Sequence, residues 1–174
     1  MPSVLSKLSG AFQQNGLFAN RRVRPTLPRV AYRNRSQCYG YAVSSEWLMQ
    51  FAEQHYPGEL PDRSHIDYEE IATTRAHELL ASRSGIYYLD YRRCFNPAPG
   101  GIIPREWIAL VEGEYDDEPD EVVDAIKVDT IQVFYVCSDR ADFEWRPTRK
   151  QLNSLTKLIG HPPKWWTACG WGGP

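Results

Sequence analysis

The chain of 174 residues carries no aspartate or glutamate before Glu46. Within that stretch stand Lys7, Arg21, Arg22, Arg24, Arg29, Arg33 and Arg35, seven positive charges with nothing to balance them. The remainder holds thirteen Lys or Arg against twenty-two Asp or Glu, a balance of −9. Residues 1–35 therefore read as a basic N-terminal extension on an acidic body. Few apolar residues and many arginines predict that this extension is dispensable for folding. The acidic body lacks the continuous positive surface that phosphate affinity needs, so nucleic acid is an unfavoured partner.

Other absences exclude other classes. No apolar run is long enough to span a membrane, and "MPSVLSKLSGAF" lacks the unbroken apolar stretch of a secretory signal. The expected location is intracellular and cytoplasmic. Mitochondrial import is the alternative, because Val4, Leu5, Leu8 and Phe12 fall at helical spacing in a Ser- and Arg-rich segment. The four cysteines, Cys38, Cys94, Cys137 and Cys169, form no CxxC pair, so a zinc ribbon is unsupported and free buried thiols are expected. There is no G-x-S-x-G elbow, no G-x-G-x-x-G and no P-loop. "HELL" at His77–Leu80 is followed by Ala81 where a zinc helix needs its second histidine. The acidic run from Glu112 to Asp124 lacks the alternating order and the glycine of a calcium loop, and reads as a solvated segment. No cofactor and no metal are expected.

What remains is ordinary globular composition, 42% hydrophobic and 24% charged, which suits one domain over 36–174. "SQCYGYAV" reads as a strand. "SSEWLMQFAEQHYPG" reads as a helix capped by Ser44 and stopped at Pro57-Gly58. "SHIDYEEIATTRAHELLASRSG" reads as a second helix, with capping pairs Ser64/Asp67 or Asp67/Glu70 and Gly85 at its end. "GIYYLDYRRCF" reads as a strand. "EWIALVEG" reads as a short strand paired with it. The nearly continuous apolar run "DTIQVFYVCS" reads as a central strand covered on both faces. In "RPTRKQLNSLTKLIGHPP", Thr148 and Gln151 form a capping box, and Leu152, Leu155, Leu158 and Ile159 a core stripe. The order β-α-α-β-β-β-α predicts an α+β, or mixed α/β, domain. It would have a small sheet of about four strands with three helices packed on it.

Candidate site residues fall in two groups. As chemistry, Cys94 follows Arg92 and Arg93, which would lower its pKa if the thiol were exposed. Glu70, Thr73 and His77 share a helix face that reads as solvated, although His77 with Glu70 could act as an acid–base set. As binding surface, Tyr87 and Tyr91 share a strand face. With Tyr39, Tyr41, Trp107, Tyr135 and Trp145 they either fill a core or line a pocket. Trp165, Trp166 and Trp171 crowd the C-terminus, where disordered tails seldom carry aromatics. If extended, Trp165 and Trp166 point to opposite sides, so one plugs the core and the other is open to a partner. The expected function is a non-catalytic binding or interaction module with an aromatic-rich surface, taking a protein partner or a small aromatic or sugar-like ligand. The alternatives are a small enzyme with an aromatic-walled pocket, cysteine- or histidine/carboxylate-based, and an accessory subunit imported into mitochondria.

Overall fold

The computed structural model describes residues 19–27, 35–99, 101–114, 120–140 and 145–170. Four strands, β1 (Gln37–Ala42), β2 (Asp90–Phe95), β3 (Thr130–Ser138) and β4 (Lys164–Thr167), form one antiparallel sheet in the order β2-β3-β1-β4. The described helices are α1 (Ser45–His55), α2 (Tyr68–Ser84), α3 (Arg105–Val111), α4 (Asp120–Ala125) and α5 (Arg149–Ile159). The domain is α+β. No helix among the described residues is long and apolar enough to cross a membrane.

The caps explain where the longer helices begin and end. Ser44 accepts the Trp47 N–H at 3.2 Å and starts α1. Thr148 and Gln151 make the reciprocal capping box of α5, with Gln151 Oε1 accepting the Thr148 N–H at 2.8 Å. Gly85 and Gly160 end α2 and α5 in the left-handed conformation that a β-carbon disfavours. The Gln151 amide also donates to the Gly85 carbonyl, which ties the start of α5 to the end of α2. The expected capping of α2 takes another form. Asp67 stands at the N-cap but accepts nothing with its side chain. The turn before it is held instead by Ser64 N–H on Asp62 and Asp67 N–H on His65 Nδ1.

One sheet face meets the three longer helices. Tyr41, Phe134 and Val136 pack against Leu48 and Phe51 of α1, Ala72, Ala76 and Leu80 of α2, and Leu155 and Ile159 of α5. A fully buried leucine such as Leu80 or Leu155 is worth about 1.5–3 kcal/mol. The opposite face carries Cys38, Cys94, Val133, Trp166 and Ala168. After β4 the chain crosses from one sheet edge to the other. Ala168 N–H donates to Ser36 O, and Cys169 N–H to Arg93 O, both at 3.0 Å. The two edge strands thus meet at one end, and the sheet curls around its second cluster. The α3 residues Trp107, Ile108 and Val111 close that end over Phe95, Ile103 and Cys169.

Two expectations are corrected. "EWIALVEG" contains helix α3, not a strand. Trp107, Ile108 and Val111 suit one helical face, whereas alternation would have split them between two sides of a strand. The place beside β2 belongs to β3. The strand in "GIYYLDYRRCF" is confined to Asp90–Phe95. Ile86 and Leu89 are both anchored in the core, and Leu89 N–H closes a turn on Ile86 O at 3.2 Å, which turns Tyr87 outward.

The first segment is laid against the domain. Arg22 bridges Thr148, Val23 N–H donates to Pro147 O, and Arg149 N–H donates to Arg21 O, the last two at 2.9 Å. Arg35 is buried.

Candidate functional site

The helix layer stops short of β2. On that side of the sheet Tyr91, Arg93 and Gln132 are exposed, while Phe134 beside them is buried. The N-terminal half of α2 overhangs this uncovered strip. The result is a cleft of about 550 Å³. Its lining includes Asp67, Glu69, Glu70, Thr73 and His77 from α2 and its N-cap, and Tyr91, Gln132 and Phe134 from the sheet. Residues 70, 73 and 77 share this side because the helix repeats every 3.6 residues.

The His77 ring is stacked on Phe134, with centroids 5.4 Å apart and planes 4° from parallel. The edge of Tyr91 meets the same Phe134 at 6.4 Å and 87°. His77 Nε2 lies 2.7 Å from Leu89 O. A carbonyl only accepts, so Nε2 is the donor of this bond. Thr73 turns its hydroxyl back to the Glu69 carbonyl at 2.7 Å, which spends its donor inside the helix. Among the described residues, no Lys or Arg lines the cleft. Among the described residues, no salt bridge or side-chain hydrogen bond reaches the carboxylates of Glu69 and Glu70. The cleft is therefore negative and rich in acceptors, above an aromatic wall.

His77, Glu70 and Tyr91 are brought together here. His77 and Glu70 do not touch as an acid–base pair would. Seven residues of helix separate them, about 10 Å of axial rise. Phe134 and Gln132 went unseen in the sequence because their strand reads as a covered apolar run. The polar Gln132 inside that run is the signal of an uncovered strip.

The remaining candidates lie elsewhere. Cys94 is fully buried beside Cys38, and that neighbour together with burial pushes its thiol well up from the ordinary range. Such a thiol has neither the access nor the thiolate character of a nucleophile. The histidine partners it would need are engaged with main chain: His55 on Phe51 O, His77 on Leu89 O and His161 on Ala42 O. Tyr87 is 83% exposed and outside the cleft. Trp165 is half-buried, its ring 5.2 Å from Tyr39 and its indole N–H on Thr26 O at 2.8 Å. Trp166 is buried, donating to Gly40 O at 3.3 Å, with Lys164 over its ring. Trp171 lies outside the described residues, as do 115–119 of the acidic run. Among the described residues, no group of three or more His, Cys, Asp or Glu is arranged to hold a metal ion.

The other aromatics are dispersed. Tyr41 is buried, with Thr156 at 2.7 Å. Trp107 stacks on Phe95, Tyr135 lies on the second sheet face under Arg92, and Trp145 meets Tyr88 edge-on at 6.3 Å.

Comparison of the chain with protein-family models, with curated proteins and with solved structures finds no match.

Proposed function

We propose that this chain is a non-catalytic binding domain whose cleft takes a small ligand carrying a cationic group beside a flat ring. The observation that supports this is the pairing of unpartnered Glu69 and Glu70 carboxylates with the Tyr91 and His77 rings across one cleft. A carboxylate hydrogen-bonded to a ligand cation contributes about 1.5–3 kcal/mol, and a cation over an aromatic face about 0.5–2 kcal/mol. The acceptors, the carboxylates of Asp67, Glu69 and Glu70, match a donor-rich head. The volume is in the range of small-molecule sites, roughly 300–1,000 Å³. The separation of His77 from Glu70 weighs against an acid–base enzyme.

The test is a titration with benzamidine, which joins an amidinium to a ring, against neutral benzamide, followed by NMR. Benzamidine should shift the His77 and Tyr91 ring signals, and Glu70→Gln should weaken the response. Equal shifts with benzamide, or none with either compound, would remove the reading.

On compartment, we read the protein as cytoplasmic rather than imported into mitochondria. Residues 21–26 are held on the domain by main-chain bonds, a poor arrangement for a cleavable leader. N-terminal sequencing of the native protein tests this.

A further inference from the structure

Two thiols meet inside the curled sheet. Cys38 of β1 and Cys94 of β2 are both fully buried and free, and they pack in one cluster with Val133, Trp166 and Ala168. Their strands are not neighbours in the sheet, because β3 stands between them. The curl brings them together from the other side. Trp166 of β4 pairs with Cys38, and two residues on Ala168 bridges to Cys94. The side chains of Cys38 and Cys94 are thereby within hydrogen-bond reach of each other. Cys137 lies on the opposite sheet face, under the helices. Cys169 belongs to the neighbouring cluster with Phe95 and Ile103.

We propose that Cys38 and Cys94 are a redox pair, reduced at rest, that a peroxide converts to a disulfide tying β1 to β2. The hydrogen bond from Cys94 holds the Cys38 thiol below its ordinary value against the opposing effect of burial, and the Arg92 guanidinium helps. Cys38 is therefore the thiol that ionises first. Its thiolate attacks one peroxide oxygen and the O–O bond breaks. The released hydroxide takes up the proton that Cys38 gave up, which leaves a sulfenic acid and one water. Cys94 is a poor nucleophile toward anything outside the protein, but it is already in contact. Its sulfur attacks the sulfenic sulfur, the S–O bond breaks, and the Cys94 proton leaves with the hydroxide as a second water. Two thiols are oxidised and one peroxide is reduced. Neither cysteine is exposed, so peroxide arrives only while their cover is open. Ala168 and Cys169 form that cover, tied by Ala168 N–H on Ser36 O and Cys169 N–H on Arg93 O. Local opening of so short a tie costs less than unfolding the domain. A bond that closes only under an oxidant is the form that disulfides take in a reducing compartment.

The experiment treats the native full chain with hydrogen peroxide, blocks the remaining thiols with iodoacetamide in denaturant, and maps the peptides by mass spectrometry without reduction. The Cys38–Cys94 cross-link should be the main disulfide, Cys137 should remain a thiol, and dithiothreitol should return the pair to two thiols. Cys169→Ala should form the same cross-link, because Cys169 is not a partner. In Cys94→Ala, shown to be folded by thermal melting, Cys38 should stop at the sulfenic acid, which dimedone traps. The map of the native chain decides the matter even where a variant fails to fold. Absence of the cross-link in the native chain would overturn the proposal. So would a Cys94–Cys169 cross-link in its place, or loss of the cross-link in Cys169→Ala.

Discussion

The imidazole of His77 lies 4° from parallel to the Phe134 ring, and its Nε2 is 2.7 Å from the Leu89 carbonyl. One side chain thereby joins helix α2, the turn before β2 and the central strand β3. His77→Ala should leave the buried Leu89 carbonyl without its donor and uncover Phe134. An unsatisfied buried acceptor costs about 1–3 kcal/mol, so the urea midpoint should fall by a corresponding amount. An unchanged midpoint would mean that the ring is held in place for a ligand and not for the fold.

Gly40 marks the irregularity in the pairing of β1 with β3. A β-carbon there would stand 2.0 Å from the Phe134 carbonyl oxygen, a backbone atom that cannot swing away. Gly40→Ala should therefore be among the most destabilising single substitutions in the sheet. Thermal melting checks this, with Gly170→Ala as the control, since a β-carbon at Gly170 meets nothing within 4 Å.

Arg35 fixes a boundary of the folded unit. It is buried, with Nη2 3.0 Å from Glu112 and Nη1 donating to Cys169 O. Removing one partner of a buried pair costs about 3–5 kcal/mol. Glu112 keeps contact with solvent, so Arg35→Ala should destabilise the fold by less than that. A chain beginning at Ser36 should melt below one beginning at Ala19, because it also loses the ladder from Arg21 to Val23. Equal melting of the two chains would support the reading of residues 1–35 as a dispensable arm.

These residues also show what could be read from the sequence. The caps at Ser44 and Thr148 and the stripe of α5 are local chemistry, written within four residues of where they act, and they are found where the pattern puts them. The α3 segment failed because its apolar residues suit either period over so short a length. The cleft was half legible. Glu70, Thr73 and His77 share a helix face by arithmetic, but that the face overhangs a bare strip of sheet depends on how far the helix layer reaches. That reach is set by Ala72 and Ala76 packing into the core, and no local pattern announces it. The closing of the sheet edges by Ala168 and Cys169 is likewise a contact between distant segments.

Alkaline pH should unfold the protein through its thiols. Burial pushes Cys137 and Cys169 up to about 11, from an ordinary value of 9.0. A raised folded pKa means that the folded state holds its proton where the unfolded state has released it. The stability these thiols contribute is complete below pH 9 and is lost as pH rises toward about 11. Urea unfolding at a series of pH values should show a plateau and then a fall in that window, and Cys137→Ala should make the fall shallower. A flat profile through pH 11 would mean that these thiols titrate as they do in the unfolded chain.

The two adjacent tryptophans of β4 should differ sharply. Trp166 is 7% exposed, packs with Cys38, Cys94 and Val133 inside the curled sheet, and spends its indole N–H on Gly40 O. Trp165 points the other way, half-buried on Tyr39, and holds the first segment through Thr26 O. Trp166→Ala opens a cavity against groups that cannot collapse onto it, at a cost of about 3–5 kcal/mol. That is a large share of a typical stability of about 5–15 kcal/mol. Trp165→Ala loses one hydrogen bond and a ring contact, about 1–2 kcal/mol. Iodide quenching separates them without unfolding. In a Trp165→Phe variant, the Trp166 indole should stay shielded until the domain melts, while in Trp166→Phe the Trp165 indole should be quenched in the native state. If both variants quench alike and deletion of residues 164–174 leaves the melting temperature unchanged, β4 is a mobile peptide and the sheet does not need it.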